Sequence, residues 1–166
     1  MSVIDVEGLA AQLEITQVLQ RYCRSMDRID AELGYAVWHE DGLADYGAIF
    51  RGTGRDFVDW VCAFHRTLDA QSHQIGVPLI YVRGEKAISE TCVSATLLFR
   101  KDGRQQITSG RARYLDLWSR RGGRWAIDRR RSVHDFSVTR DVEAQIGEGT
   151  RGLDDPSYAV LNGLGA

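Results

Sequence analysis

Apolar residues recur along the chain with two different periods. Ile15, Val18, Leu19, Tyr22, Met26 and Ile29 follow i, i+3, i+4, i+7, i+11 and i+14, one stripe on a helix that the pattern starts near Asp5. A shorter helical segment is predicted around residues 31–38. Gly42 to Phe50 then reads as a strand ending at the turn Arg51-Gly52-Thr53-Gly54. Phe57, Trp60, Val61, Phe64 and Leu68 return to helical spacing. From about residue 73 the period becomes two, in segments near 73–83, 86–100, 105–120 and 124–136. Arg83-Gly84-Glu85, Lys101-Asp102-Gly103-Arg104 and Arg121-Gly122-Gly123 separate these segments as hairpin turns. Long consecutive strands joined by tight turns predict a strongly curved antiparallel meander with the N-terminal helices over one face, an α+β class. Past Phe136 the periodicity fades, and Gly147-Glu148-Gly149 and Asp154-Asp155-Pro156 mark a tail. The expected organisation is a single domain over residues 1–140 and a tail over 141–166 that packs on the body or on a neighbouring subunit.

A chain of 166 residues, 43% hydrophobic, can bury one core and has little room for a second. No stretch approaches the roughly 20 apolar residues of a membrane helix, and Asp5, Glu7 and Glu14 stand where a signal peptide needs a basic start and an apolar middle. A soluble, cytoplasmic protein is expected, without a membrane partner. Cys23, Cys62 and Cys92 are odd in number and far apart, which predicts neither a disulfide framework nor a zinc knuckle. A net charge of −2 lacks the positive field that nucleic-acid binding requires. The 21 basic residues include only two lysines, Lys86 and Lys101, leaving 19 arginines. Arginine can hold anions in a half-buried pocket, although codon usage produces the same bias.

Several site types are excluded by inspection. Gly52-Thr53-Gly54 opens a G-x-G-x-x-G, but residue 57 is Phe and no βαβ unit surrounds it. Phosphate-loop, nucleophile-elbow and H-E-x-x-H patterns are absent, and His39, His65, His73 and His134 show no ligand spacing, so no metal site is predicted. What remains are polar residues at positions that favour apolar ones. Asp27 lies beside the stripe of Tyr22, Cys23 and Met26 near a helix C-terminus, where a carboxylate is disfavoured and needs a partner. Alternatively the helix has already ended, and Asp27 and Asp30 face water. His73 stands at the mouth of the first long strand, either as a chemical group or as a satisfied structural histidine. Alternation places Arg111 and Arg113 on one face with Ile107, Leu115 and Leu117, which suggests a polar-floored cavity unless that face is the solvent side. In the last strand, Arg129 and Arg131 share a face with Trp125, Ile127 and Val133, while Arg130 shares the other with Ala126, Asp128, Ser132 and His134.

Together these features resemble the SnoaL-like branch of the nuclear transport factor 2-like superfamily. The resemblance spans about residues 5–140. It rests on a long helix ending in Tyr22-Cys-Arg-Ser-Met-Asp27-Arg-Ile-Asp30, on Asp45-Tyr46 in a strand, on Ser72-His73-Gln-Ile-Gly76 and on Trp118-Ser-Arg-Arg-Gly-Gly-Arg-Trp125. Relatives such as scytalone dehydratase, hexachlorocyclohexane dehydrochlorinase and the bile acid dehydratases imply a cone-shaped α+β barrel that works without a cofactor. Asp27 and His73 fall where that group carries a catalytic aspartate and histidine. Tyr22 is similar to an active-site tyrosine of the bile acid dehydratases, Tyr46 to a substrate-binding tyrosine of scytalone dehydratase, and Arg130 to the arginine of the dehydrochlorinase. One departure is chemical. Scytalone dehydratase has a second catalytic histidine in Gly-His-Ala-His, where this chain reads Gly110-Arg111-Ala112-Arg113, and an arginine cannot act as an acid or base.

The resemblance implies a lyase that eliminates water or halide from a small hydrophobic cyclic or aromatic substrate. His73 would be the base and Asp27 its orienter, with Tyr22 and Arg130 assisting and Tyr46, Arg111, Trp60 and Phe64 binding substrate. The alternatives are a proton shuttle like ketosteroid isomerase or polyketide cyclase, or a non-catalytic module like an oxygenase subunit. A curved sheet with one uncovered face implies a homodimer or homotrimer.

Overall fold

The computed structural model describes residues 5–163. The first four and last three residues, assigned above to the domain and the tail, lie outside the described residues. Helix α1 (Val6–Arg28) starts at Asp5, whose carboxylate accepts the Gly8 N–H, and presents Ile15, Leu19, Tyr22 and Met26 to the core. It stops at Ile29, which takes a left-handed conformation (φ 52°) and donates its N–H to the Met26 and Ser25 carbonyls. That conformation is strained for a β-branched residue. Asp30 then caps the short α2 (Ala31–Tyr35), and Thr53 caps α3 (Gly54–His65). Strands β1 (Trp38–Asp45) and β2 (Arg51–Thr53) lie between these two helices. After α3 come β3 (Ala70–Ile75), β4 (Leu79–Arg83), β5 (Lys86–Lys101), β6 (Arg104–Arg121), β7 (Arg124–Asp141) and α4 (Pro156–Asn162).

The fold is α+β, with a curved sheet ordered β2-β1-β7-β6-β5-β3 and β4 also paired to β5. The pairs are antiparallel except β1 with β7, which is parallel. The order is linear, so the curved sheet stays open as the cone that was expected. Helices α1 and α3 cover its concave face, and a single core joins Ile15, Leu19 and Met26 to Val58, Trp118 and Ile127.

Several boundaries differ from the sequence expectation. The segment 73–83 is two strands, because Pro78 has no N–H to donate and the pairing to β5 breaks after Gly76, whose N–H still reaches the Cys92 carbonyl (2.9 Å). The pieces pair with opposite halves of β5, Ile75 with Val93 and Leu79 with Glu90. The strand placed at 42–50 starts earlier, at Trp38, and ends at Asp45. Tyr46 donates its N–H to the Phe50 carbonyl (2.8 Å) across a turn with Gly47 at φ 66°. β7 continues to Asp141, five residues past the end assigned by periodicity.

Facing also differs. On β6 it is Tyr114, Asp116 and Trp118 that are buried, while Leu117 is 49% exposed, so Arg113, Leu115 and Leu117 line the convex side. Arg113 pairs there with Asp135 (3.1 Å) and Glu90 (3.9 Å) and is no floor of a cavity. On β7 a register shift opposite Leu117 and Trp118 inserts Asp128, which lets Trp125, Ile127 and Arg130 all turn inward. The tail returns over α1. Asp155 reaches Arg28 (3.4 Å), Arg24 donates to Ser157 Oγ (2.9 Å), and the Tyr158 hydroxyl donates to Asp30 (2.6 Å).

Candidate active site

Asp27 occupies the last turn of α1, where the left-handed cap at Ile29 ends the helix and brings this turn against β3. Its carboxylate accepts twice from one residue: Oδ2 takes the His73 backbone N–H (3.0 Å) and Oδ1 takes the ring Nδ1 (2.7 Å). A carboxylate only accepts, so in the neutral ring Nδ1 carries the proton and Nε2 keeps its lone pair. Main chain and side chain are thus held by the same group, which fixes the ring. Behind this pair, the Gln71 amide donates to the Met26 (3.1 Å) and Asp27 (3.3 Å) carbonyls. Arg151 of the tail donates to Gln71 Oε1 and to the His65 carbonyl, both at 2.9 Å.

His73 lines a cavity of about 210 Å³ between α1, α3 and the concave sheet. Of the residues singled out in the sequence, Tyr22, Tyr46, Trp60, Phe64 and Arg111 line it as well. Asp27 does not; it stands behind His73 and borders a separate groove of about 610 Å³ between α1 and α4. Trp60 and Phe64 stack at 5.9 Å and are each about 40% exposed, forming an aromatic rim. Arg111 is exposed at the mouth beside the register shift at Arg111 and Ala112.

In the same cavity, the Tyr22 and Tyr46 hydroxyls share a hydrogen bond of 2.7 Å, and Tyr46 stacks on Phe57 at 3.9 Å. One O–H is used between the two, which leaves one to donate elsewhere. Burial above all, reinforced by the neighbouring phenols, keeps the Tyr22 and Tyr114 hydroxyls well above the usual phenol range, and burial raises Tyr46 too. All three are therefore neutral donors near pH 7.

Arg130 lies under this cluster and does not line the cavity. It is fully buried, bonded to Asp116 through Nε (2.7 Å) and a second guanidinium nitrogen (2.8 Å). The Tyr114 and Tyr22 rings cover its faces at 4.0 and 4.3 Å. Burial opposes its charge, but the Asp116 carboxylate outweighs that and holds its pKa above the ordinary arginine value. Its charge thus lies directly against the Tyr22 and Tyr114 rings.

The sequence reading missed His65. The residue is 3% exposed, its ring centroid lies 5.4 Å from that of His73, and it lines the same cavity. Its Nδ1 donates to the Met26 carbonyl (3.2 Å). Burial first, then the charge of protonated His73, lowers its pKa to about 4. The signal was its spacing after Val58, Val61 and Cys62, which puts an imidazole on the buried stripe of α3.

An open cone of sheet and helix around an apolar cavity, lined by His73 and a tyrosine cluster with Asp27 behind the histidine, is an architecture of small-molecule-converting proteins. The chain belongs to the SnoaL-like domain family, which it matches over residues 7–131. Solved structures with the same fold lie in the nuclear transport factor 2-like superfamily. One is a candidate scytalone dehydratase from Novosphingobium aromaticivorans, 23% identical over 85% of this chain and 95% of that one, with a TM-score of 0.68. The LinA-type3 hexachlorocyclohexane dehydrochlorinase from Novosphingobium barchaimii is 13% identical over 84% and 96%, with a TM-score of 0.72. A superfamily protein from Salmonella enterica is 21% identical over 85% and 98%, with a TM-score of 0.64. No curated protein sequence matches the chain.

Proposed function

We propose that this protein is a lyase that eliminates water or a hydrogen halide from adjacent carbons of a small hydrophobic cyclic substrate. The observation that carries this reading is the 2.7 Å Asp27–His73 bond, which leaves an unprotonated imidazole nitrogen on the wall of an apolar cavity. His73 Nε2 takes the proton from carbon, and the C–H electron pair becomes the new double bond. The leaving group departs with its own bonding pair. The Asp27 carboxylate stabilises the imidazolium that forms. The free O–H of the Tyr22–Tyr46 pair is placed to donate to the departing oxygen or halide, and Arg130 behind the rings favours negative charge there. For a hydroxyl leaving group, the proton taken from carbon and the departing hydroxide leave as water. Every step uses a side chain of this protein. The dehydratase and dehydrochlorinase described among its structural neighbours make elimination the first chemistry to try.

A proton shuttle centred on Asp27 is less well supported, because that carboxylate does not reach the cavity and both its oxygens are taken by His73. Mass spectrometry of the product from a panel of cyclic alcohols and halides separates the readings. Elimination lowers the mass by one water or hydrogen halide, whereas isomerisation leaves it unchanged. On the substrate so found, His73→Ala should slow turnover by about 10²–10⁴-fold. Unaltered turnover in that variant would remove His73 from the mechanism.

A further inference from the structure

His65 is a buried, cavity-facing imidazole to which the elimination chemistry assigns no task. Its Nδ1 is committed to the Met26 carbonyl, and a carbonyl can only accept, so the ring proton sits on Nδ1 and Nε2 is a lone-pair acceptor. Nε2 has no hydrogen-bond partner among the described residues. Nor is it among the fully buried side-chain atoms left unpaired, so it keeps access to open space, and the open space His65 borders is the cavity. Two histidine rings, 5.4 Å apart, therefore line the cavity that the donors Tyr22 and Tyr46 also line.

We propose that His65 Nε2 is the specificity-determining acceptor for a hydroxyl group that the substrate keeps, carried close to the carbon that loses its proton to His73. The substrate class is then a hydroxylated ring compound, a cyclic alcohol or phenol, with its leaving group directed towards the tyrosines. His65 cannot serve the leaving group itself, because a departing oxygen needs a donor and this nitrogen offers only a lone pair. It is also no second general base at neutral pH, since its low proton affinity leaves it a weak one. A bare hydrocarbon in the same place would strand a desolvated acceptor, and a site built to pair with a hydroxyl discriminates against the analogue that lacks it.

The inference rests on the elimination reading only for the identity of the neighbouring base, so its test uses binding. Phenol and toluene have nearly the same shape and differ in the hydroxyl. Both would be titrated into the wild-type protein while the His65 ring nitrogens are followed by ¹⁵N NMR. The expected result is a shift of the Nε2 resonance with phenol and none with toluene, together with phenol binding tighter by about 10–100-fold. His65→Asn keeps an amide N–H for the Met26 carbonyl and removes Nε2. In this variant the preference should vanish while toluene binds as before, which also reports an intact cavity. An Nε2 resonance unmoved at the highest soluble phenol concentration overturns the proposal. So does a preference that survives His65→Asn, which would assign the hydroxyl to the tyrosines or to His134 at the mouth. A phenol preference lost in His65→Asn, without turnover of any substrate, would sink the elimination reading and leave His65 standing. His73-dependent turnover with no such preference would do the reverse.

Discussion

His65 and Arg130 are both buried, and they resolve that burial in opposite ways. Arg130 keeps its charge because Asp116 meets it with two hydrogen bonds, whereas His65 has only a carbonyl partner and stays neutral, with its pKa lowered to about 4. The consequence for stability has a definite sign. Between about pH 6.5 and pH 4 the unfolded chain binds a proton at this histidine that the native protein refuses, so stability falls as pH falls through that window and levels off below it. The loss should reach about 3 kcal/mol, and chemical denaturation across pH 4–7 should show a shallower slope in His65→Gln than in the wild type. Equal slopes would mean that His65 is protonated in the native state. Asp27 and His73 each departed from the pattern around them, as a carboxylate beside an apolar stripe and a histidine at a strand mouth, while their pairing was implied by the resemblance to the SnoaL-like branch. His65 was not legible, because spacing announces that a residue is buried without saying that one of its nitrogens opens into a cavity.

Helices α1 and α3 were legible from periodicity because their stripes are long and Asp5 and Thr53 cap them, whereas α4 lies in the tail, where no period is legible. The long hairpin strands β5, β6 and β7 were legible, but the strand number was not, since 73–83 divides in two and Arg51–Thr53, read as a turn, is a strand; nor was the facing. Alternation tells which residues share a face of β6 and is silent on which face the helices cover. Leu115 and Leu117 drew that assignment to the wrong side. The register shift at Leu117/Trp118 leaves no mark in composition, yet it is what turns Arg130 inward with Ile127. The contact between β1 and α3 is similarly tight. A Cβ on Gly54 would overlap the Trp38 indole, so Gly54→Ala should force the first turn of α3 away from β1. A loss of about 1–3 kcal/mol in urea denaturation is expected, and a neutral result would show that the indole can shift freely.

Across the whole molecule, polar contacts converge on the end of α1 that carries the candidate dyad. The tail reaches it through Arg151, Gln71 and the Met26 and Asp27 carbonyls, while α4 reaches it through Tyr158 and Asp30. The other anchor is the Arg130–Asp116 pair, which ties β7 to β6 beneath the tyrosines. Asp116→Asn would leave the buried guanidinium without its countercharge and turn one acceptor into a donor facing it, and a loss of about 3–5 kcal/mol is expected from denaturation curves. A loss below about 1 kcal/mol would contradict the burial described. Among the described residues no helix is long and apolar enough to cross a membrane. The central claim, that Asp27 holds His73 as an unprotonated base at Nε2, can be tested without knowing the substrate. ¹⁵N NMR of the His73 ring at neutral pH should report a proton on Nδ1 and none on Nε2 in the wild-type protein, with that tautomer lost or mixed in Asp27→Asn. A proton on Nε2 in the wild type, or the same tautomer in both proteins, would contradict it.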